Sequence, residues 1–129
     1  MNREILFRGK RVDNGEWVEG SLVIWADRTM SIEIGYTSNP MFSVDPDTVG
    51  QYTGLTDNNA KKVFEGDVME FYVYGSHYKG VVSFVDGNFR VMCNRPTASP
   101  FLDVAVKLYG AYVNNIHDNP ELIEGEGDD

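Results

Sequence analysis

The sequence feature that most constrains the fold is a series of short apolar runs with a two-residue period, interrupted by turn-forming residues. In residues 30–36, four apolar side chains alternate with three small or polar ones, which is typical of a half-buried antiparallel strand. No stretch keeps the 3.6-residue period of a long helix. The pattern therefore predicts a mainly β protein built from short antiparallel strands.

The first half of the chain is predicted to form an antiparallel lobe. A strand that begins at Ile5 is followed by turn residues 13–15 and by a return strand from Glu16 to Trp25. Both faces of the return strand carry apolar side chains, so we expect it to be covered on both sides. Residues 37–62 are irregular, yet they are too apolar for a free linker, which predicts an ordered loop packed on the body.

The second half alternates again. Strands are predicted over Val68 to Tyr74, Gly80 to Val85 and Asn88 to Cys93, with turns at Gly75-Ser76 and Asp86-Gly87. Asp-Gly between two apolar runs is a strong signal for a two-residue hairpin.

The last part of the chain is less regular. Ser99-Pro100 resembles a helix cap followed by the first helical position, which predicts a short helical turn. Val104 to Tyr109 is predicted as a strand, although its apolar spacing also suits a helix, and Ala111 to Ile116 is predicted as a further strand.

These elements predict two lobes. Residues 1–62 form an N-terminal β lobe with its packed connecting loop, and residues 63–123 form a small barrel-like lobe, SH3-like or partly open, with few helical turns. Residues 124–129 form an acidic tail, which we expect to be disordered.

Charge and cysteine content limit the function classes. The net charge is −9, of which residues 118–129 carry −6, so no basic surplus exists to draw the chain onto a phosphate backbone. The lone Cys93 cannot form an internal disulfide and is expected to be a buried strand residue. Charged residues follow Met1 closely and no long apolar run occurs, so we expect no signal peptide, no membrane span and a cytoplasmic location.

Ordered motifs along nearly the whole chain resemble the YopX-like family of phage and prophage proteins. The motifs are Glu4–Lys10, Asn14–Gly20, Val44–Leu55, Asp57, Val63–Val68, Gly80–Phe84 and Asn115–Leu122. The sequence departs from the family at Ala60, Phe64 and Asn114, where Gly, Tyr and Gly are usual. The resemblance implies a mostly β fold with a small barrel-like C-terminal part, a phage or prophage origin and the bacterial cytoplasm, and it implies no activity.

Acidic and histidine residues give no assembled active site. Asp57, Glu65 and Asp67 could supply oxygen ligands or a general acid, but Gly66 between the last two favours a turn. The two histidines, His77 and His117, are too few for a structural zinc site. We therefore predict no catalytic residue, no metal and no cofactor.

The favoured function is a non-enzymatic module that binds an unidentified host or phage protein. The predicted partner contacts lie in the motifs and are Gln51, Tyr52, Asp57 and Glu65. A nucleic-acid-binding barrel is an alternative, with Tyr72, Tyr74, Tyr78 and Lys79 as its surface. An acidic decoy of a host nucleic-acid-binding protein is another alternative, and a metal-dependent enzyme is the least favoured; no membrane partner is expected, and a homo-oligomer is compatible with the sequence.

Overall fold

A computed structural model describes residues 4–35, 40–94, 97–107 and 111–122. The chain divides into two compact units, residues 1–54 and 55–129. Each unit is built on antiparallel sheet, and the described residues contain one short α-helix, so the prediction of a mainly β fold is confirmed. The predicted acidic tail, residues 124–129, lies outside the described residues.

The strands that begin in the first unit follow one another along one sheet in the order β4-β3-β2-β1-β5. They are β1 (Phe7–Lys10), β2 (Trp17–Ile24), β3 (Met30–Glu33), β4 (Met41–Val44) and β5 (Gly50–Thr56), with a 3₁₀ turn over Pro46–Thr48. The pairing places Leu22 opposite Ile32 and Ile32 opposite Phe42, so apolar side chains share the inner face.

The first four strands form a curved sheet in which β4 lies beside the end of β1. The Asp45 amide donates to the Lys10 carbonyl (2.9 Å), and the Val12 amide donates to the Ser43 carbonyl (3.0 Å). Glycine at position 9 allows this close approach, because a Cβ there would lie 3.0 Å from the Val44 Cβ, tighter than an ordinary contact. The described strands thus form a partly open ring and not a closed barrel.

The expectation that β2 is covered on both faces is wrong. Every residue of β2 is at least partly exposed, and Trp25 beyond its end is also exposed. The outer face carries charged side chains in place of a second apolar layer: the Arg8 guanidinium lies 4.8 Å from the Trp17 ring centroid, and the Lys10 ammonium lies 5.8 Å from it. These two cations cover one face of the indole, and Trp17 remains partly exposed.

The segment expected to be an irregular loop contains two strands. Residues 41–44 form β4 and residues 50–56 form β5, separated by the 3₁₀ turn that the Asp45 carboxylate caps at the Asp47 amide (3.0 Å). β4 pairs with the preceding strand, β3, and β5 pairs with β1, which is distant in sequence, so both segments form backbone hydrogen bonds despite the Pro and Gly residues nearby. Residues 36–39 lie outside the described residues.

The second unit carries a five-stranded antiparallel sheet in the order β10-β9-β8-β7-β11. Its elements are β6 (Lys62–Phe64), β7 (Asp67–Val73), β8 (Ser76–Val85), β9 (Asn88–Asn94), β10 (Thr97–Ala98), α1 (Leu102–Lys107), β11 (Ala111–Asn115) and a 3₁₀ turn over Pro120–Leu122. β6 is paired with β5, and the loop between them is closed by the Asp57 amide, which donates to the Lys61 carbonyl (2.8 Å).

A helix occupies residues 104–107 of the predicted strand Val104 to Tyr109, whose last two residues lie outside the described part of the chain. Leu102 and Ala105, three residues apart, lie on one side of α1 and are buried in the core of the second unit, whereas Val104 is exposed. A strand would have pointed residues 102, 104 and 106 to one side and left the sheet without this cover. The core joins these two side chains to Val63, Met69, Phe71, Val82, Val91 and Cys93.

Replacing Leu102 with alanine tests this core. Leu102 is 1% exposed, so the substitution leaves a cavity and should lower the free energy of unfolding by about 2–5 kcal/mol. Urea unfolding followed by far-UV circular dichroism measures the loss. Val104→Ala on the exposed side of α1 is the matched control, expected to change stability by about 0.5 kcal/mol or less. Equal losses in both variants would contradict the described packing of α1.

Candidate binding surface

Asp57 holds the loop between β5 and β6. Its carboxylate oxygen Oδ1 accepts hydrogen bonds from the Asn59 amide (2.8 Å) and the Lys61 amide (2.9 Å), and the residue is only 6% exposed. Ala60 in the same loop has a φ of 64°, a conformation for which glycine is the usual residue. The carboxylate therefore compensates for a strained loop by binding backbone donors inside it.

The turn before β7 joins distant parts of the second unit. Gly66 has a φ of 90°, its amide donates to the Val82 carbonyl (2.9 Å), and its carbonyl accepts from the Ile116 amide (2.8 Å). Asp67, fully buried, accepts the Phe64 amide at Oδ2 (2.8 Å). Asn115 binds the following turn through the Asp118 amide (2.8 Å). These polar residues build the scaffold.

The four predicted partner contacts are therefore poorly placed for a partner. Tyr52 is 8% exposed and Asp57 is buried, while Gln51 and Glu65 are half-buried. Gln51 and Tyr52 lie on β5 in the first unit, and Asp57 and Glu65 lie in loops of the second. Resemblance to family motifs selected residues that sit largely inside the folded units.

Asp57 substitutions measure how much its hydrogen bonds stabilise the loop. Asp57→Ala removes the acceptor of two amides and should cost about 1–3 kcal/mol of unfolding free energy. Asp57→Asn keeps an oxygen in the same place and should cost distinctly less. Urea unfolding compares the two variants. If asparagine is as damaging as alanine, the negative charge, and not the acceptor geometry, is what the loop requires.

The candidates for chemistry are dispersed. Among the described residues no three His, Cys, Asp or Glu side chains come together as metal ligands would. His77 pairs with Glu70 on an open sheet face (Nε2 to Oε2 2.9 Å), and His117 lies half-buried in the turn after β11. Cys93 is buried, and burial raises the pKa of its thiol to about 11. A thiol with that pKa stays protonated near neutral pH and is a poor nucleophile.

The raised pKa of Cys93 predicts a slow thiol. At about pH 8 only about one thousandth of the thiol is ionised, so native protein should react slowly with an aromatic disulfide reagent. The same reagent should react rapidly once urea unfolds the chain, because exposure returns the pKa to its ordinary range. A native reaction as fast as that of free cysteine would show that the thiol is accessible and ionised.

The β7–β8 hairpin exposes aromatic side chains at its tip. Val73 pairs with Ser76, which makes Tyr74 and Gly75 the two turn residues, with φ of 49° and 84°. The turn thus begins one residue earlier than the predicted Gly75-Ser76. Because of this shift, Tyr74 leaves the strand and becomes fully exposed at the tip.

The neighbouring hairpin provides an internal reference. β8 and β9 are joined by Asp86 and Gly87, with φ of 52° and 81°, almost the backbone angles of the first turn. Two positive φ values are typical of a type I′ turn, for which Asn-Gly and Asp-Gly are the favoured pairs. The prediction at Asp86-Gly87 is confirmed. Tyrosine at the equivalent position is unfavourable for the turn and needs another explanation.

The outer face of the sheet continues this exposed surface. Tyr72 is 59% exposed and its ring centroid lies 4.8 Å from that of His77, which in turn pairs with Glu70. We call Glu70, Tyr72, Tyr74 and His77 the β7–β8 tip surface. Lys79 lies opposite Glu70 in the strand register, so cationic and anionic groups alternate here.

The four residues predicted as a nucleic-acid surface are not together. Tyr72 and Lys79 share the outer face and Tyr74 is at the tip, but Tyr78 lies on the core face, stacked on Phe71 with centroids 5.3 Å apart. Sequence analysis missed Glu70 and His77 as neighbours of Tyr72. The two-residue period would have found both once the turn was placed at Tyr74-Gly75.

The fold and this surface define a two-unit, mainly β protein with an aromatic hairpin exposed at one end of its second sheet. The model of the YopX protein family matches residues 6–124, and the chain belongs to this family. The crystal structure of protein EF1440 from Enterococcus faecalis is similar, with a TM-score of 0.58 and 20% identity over 95% of this chain and 100% of that chain. That likeness concerns the fold alone.

Two further findings limit what the comparisons supply. No curated protein matches the sequence. Within the described residues, no helix has both the length and the apolar character that a membrane crossing requires.

Proposed function

We propose that this chain is a non-enzymatic protein-binding module, encoded by a phage or prophage, that contacts a host or phage protein in the bacterial cytoplasm through the β7–β8 tip surface. The observation that carries the proposal is Tyr74, a fully exposed aromatic residue with positive φ at the tip of a hairpin. The phage origin and the location rest on the family resemblance.

Folding alone gives no reason for Tyr74. A non-glycine residue with left-handed backbone angles costs about 1–2 kcal/mol, and tyrosine lacks the short polar side chain with which Asn or Asp eases that conformation. Its ring gains nothing in return by burial, because it is fully exposed. A partner that covers the ring would supply the missing stabilisation, and tyrosine is among the residues most often found at the energetic centre of interfaces.

The surroundings of Tyr74 favour a protein over a nucleic acid. Glu70 lies beside His77 and opposite Lys79, so a phosphate approaching the outer face would meet a carboxylate. A protein surface, with both charge signs and apolar groups, complements this mixture better.

The non-enzymatic character is supported by where the reactive groups lie. Asp57 and Asp67 accept backbone hydrogen bonds inside turns, and the pKa of Cys93 is raised by burial. The His77 and Glu70 side chains lie on an open sheet face, each 39% exposed, whereas an acid–base pair of an enzyme is usually held in a site that limits access of water.

The Tyr74→Asn substitution distinguishes a loss of partner contact from a loss of folding stability. Asparagine suits the positive φ, so stability should stay the same or rise by about 1 kcal/mol or less, whereas loss of the ring should weaken partner binding by about tenfold or more. The full chain is immobilised and used to capture proteins from lysate of phage-bearing cells; affinity for the captured protein is then measured by surface plasmon resonance. Arg28→Asn, at another exposed residue with positive φ (73°) but in the first unit, is the matched control and should bind like the wild type.

Four outcomes would contradict the proposal. A captured partner that binds Tyr74→Asn as tightly as wild type would remove the tip surface from the interface. Repeated capture of no specific protein would argue against a binding module. A low-salt gel shift with single-stranded or duplex DNA that Tyr72→Ala abolishes would favour the nucleic-acid alternative, and a salt-sensitive partner lost on deleting residues 124–129 would favour the acidic decoy.

A further inference from the structure

A second exposed apolar region lies at the other end of the same sheet. The six residues of α1 span about 9 Å at the helical rise, whereas the ten residues of β8 span about 33 Å. The helix therefore covers only part of the core face. Phe84 and Phe89, near the β8–β9 turn, pack edge to face with centroids 5.0 Å apart, and Phe84 is 55% exposed.

A cleft of about 270 Å³ opens between this hairpin and the start of α1. It is lined by Leu55, Asn88, Phe89, Phe101, Leu102 and Asp103. Phe101 also contacts Arg90 on β9. The guanidinium carbon of Arg90 lies 4.3 Å from the Phe101 ring centroid, and its Nη1 donates to the Ser99 carbonyl (2.9 Å). The position of Phe101 is thus fixed by the strand and not by an occupant of the cleft.

The size of the cleft decides what it can hold. Sites for drug-sized ligands and cofactors usually enclose about 300–1,000 Å³. This cleft lies just below that range and is open to solvent, which suits one side chain of a partner better than a whole cofactor. Four of the six lining residues are apolar, and apolar pockets that accept one anchoring side chain are common at the centre of interfaces.

The polar groups at the rim select the charge of the occupant. Among the described residues that line the cleft, Asp103 is the charged one. Asn88 Nδ2 donates to the Asp86 carbonyl (3.3 Å), and the amide oxygen of Asn88 can accept a hydrogen bond from an occupant. Exposed Asp86 lies in the adjoining turn. Arg90 is close to Phe101, but its guanidinium lies against the Phe101 ring and donates to the Ser99 carbonyl. The Asp103 carboxylate therefore complements an ammonium or guanidinium group of the occupant.

We infer that this cleft binds a protein segment in which an apolar side chain stands next to a lysine or arginine. The apolar side chain fills the space between Phe89, Phe101 and Leu102, and the cation meets Asp103. The cleft and the β7–β8 tip surface lie about 30 Å apart at opposite ends of β8, so this is a second site that does not depend on the proposed function of the first.

The test uses three acetylated dipeptide amides that differ only in charge: phenylalanyl-lysine, phenylalanyl-glutamine and phenylalanyl-glutamate. Each is titrated into the ¹⁵N-labelled full chain, and amide chemical shifts are followed by NMR. We expect shifts centred on Asn88, Phe89 and Leu102, with the lysine peptide binding about two- to five-fold more tightly than the glutamine peptide and the glutamate peptide weakest.

Two variants locate the two parts of the site. Asp103→Asn should reduce the affinity for the lysine peptide to that of the glutamine peptide and leave the latter unchanged. Phe101→Ala should weaken all three peptides. Asp47→Asn, an equal change of charge on an exposed residue of the first unit, is the control and should alter none of them.

The inference is overturned if no amide near the cleft shifts at the highest peptide concentration, if the shifts centre on another surface, or if the three peptides bind equally. Circular dichroism of each variant distinguishes lost binding from lost folding. If Phe101→Ala fails to fold, the Asp103→Asn titration decides the charge preference alone, since Asp103 is exposed and outside the core.

Discussion

The second unit depends on the backbone of one turn. The Gly66 amide donates a hydrogen bond to the Val82 carbonyl on β8, and the Gly66 carbonyl accepts one from the Ile116 amide, which follows β11. A single residue thus connects a central strand to the end of the last strand of the sheet. A φ of 90° is needed to direct both groups in this way, and only glycine adopts it without strain. The fully buried Asp67 beside it then binds the Phe64 amide, which fixes the end of β6 to the start of β7.

This arrangement gives the buried polar motif residues a structural role. Asp57, Asp67 and Asn115 each satisfy backbone donors of their own loops, and a buried backbone donor without an acceptor would cost about 1–3 kcal/mol. Their side chains point into the loops that they stabilise. Exposed aromatic residues, by contrast, lie at both ends of the β7–β9 meander.

Sequence patterns predicted the strands well where the deciding interactions are local. Asp86-Gly87 supplies its own turn, and Val82 and Val91 follow the two-residue period of buried strand residues. β5 was missed because its pairing partner, β1, is separated from it by three other strands. β4 pairs with the preceding strand, β3, but the turn signals Asn39-Pro40 and Asp45-Pro46 on either side of it favoured a loop. Residues 104–107 of α1 were assigned to a strand, although their spacing also suits a helix, because only the apolar sheet face beneath them, a tertiary feature, distinguishes the two patterns.

The error at Tyr74 has a different origin. Local rules place a turn where the residues suit it, and they moved this one to Gly75-Ser76 because tyrosine is a poor residue for positive φ. The fold nevertheless puts tyrosine there, while the other end of β8 uses Asp86 with nearly the same angles. Sequence rules for folding fail preferentially at functional or strained sites. The two turns of this sheet have similar φ values, yet one carries a residue that suits the turn and the other carries an exposed tyrosine, for which the proposed partner contact gives a reason.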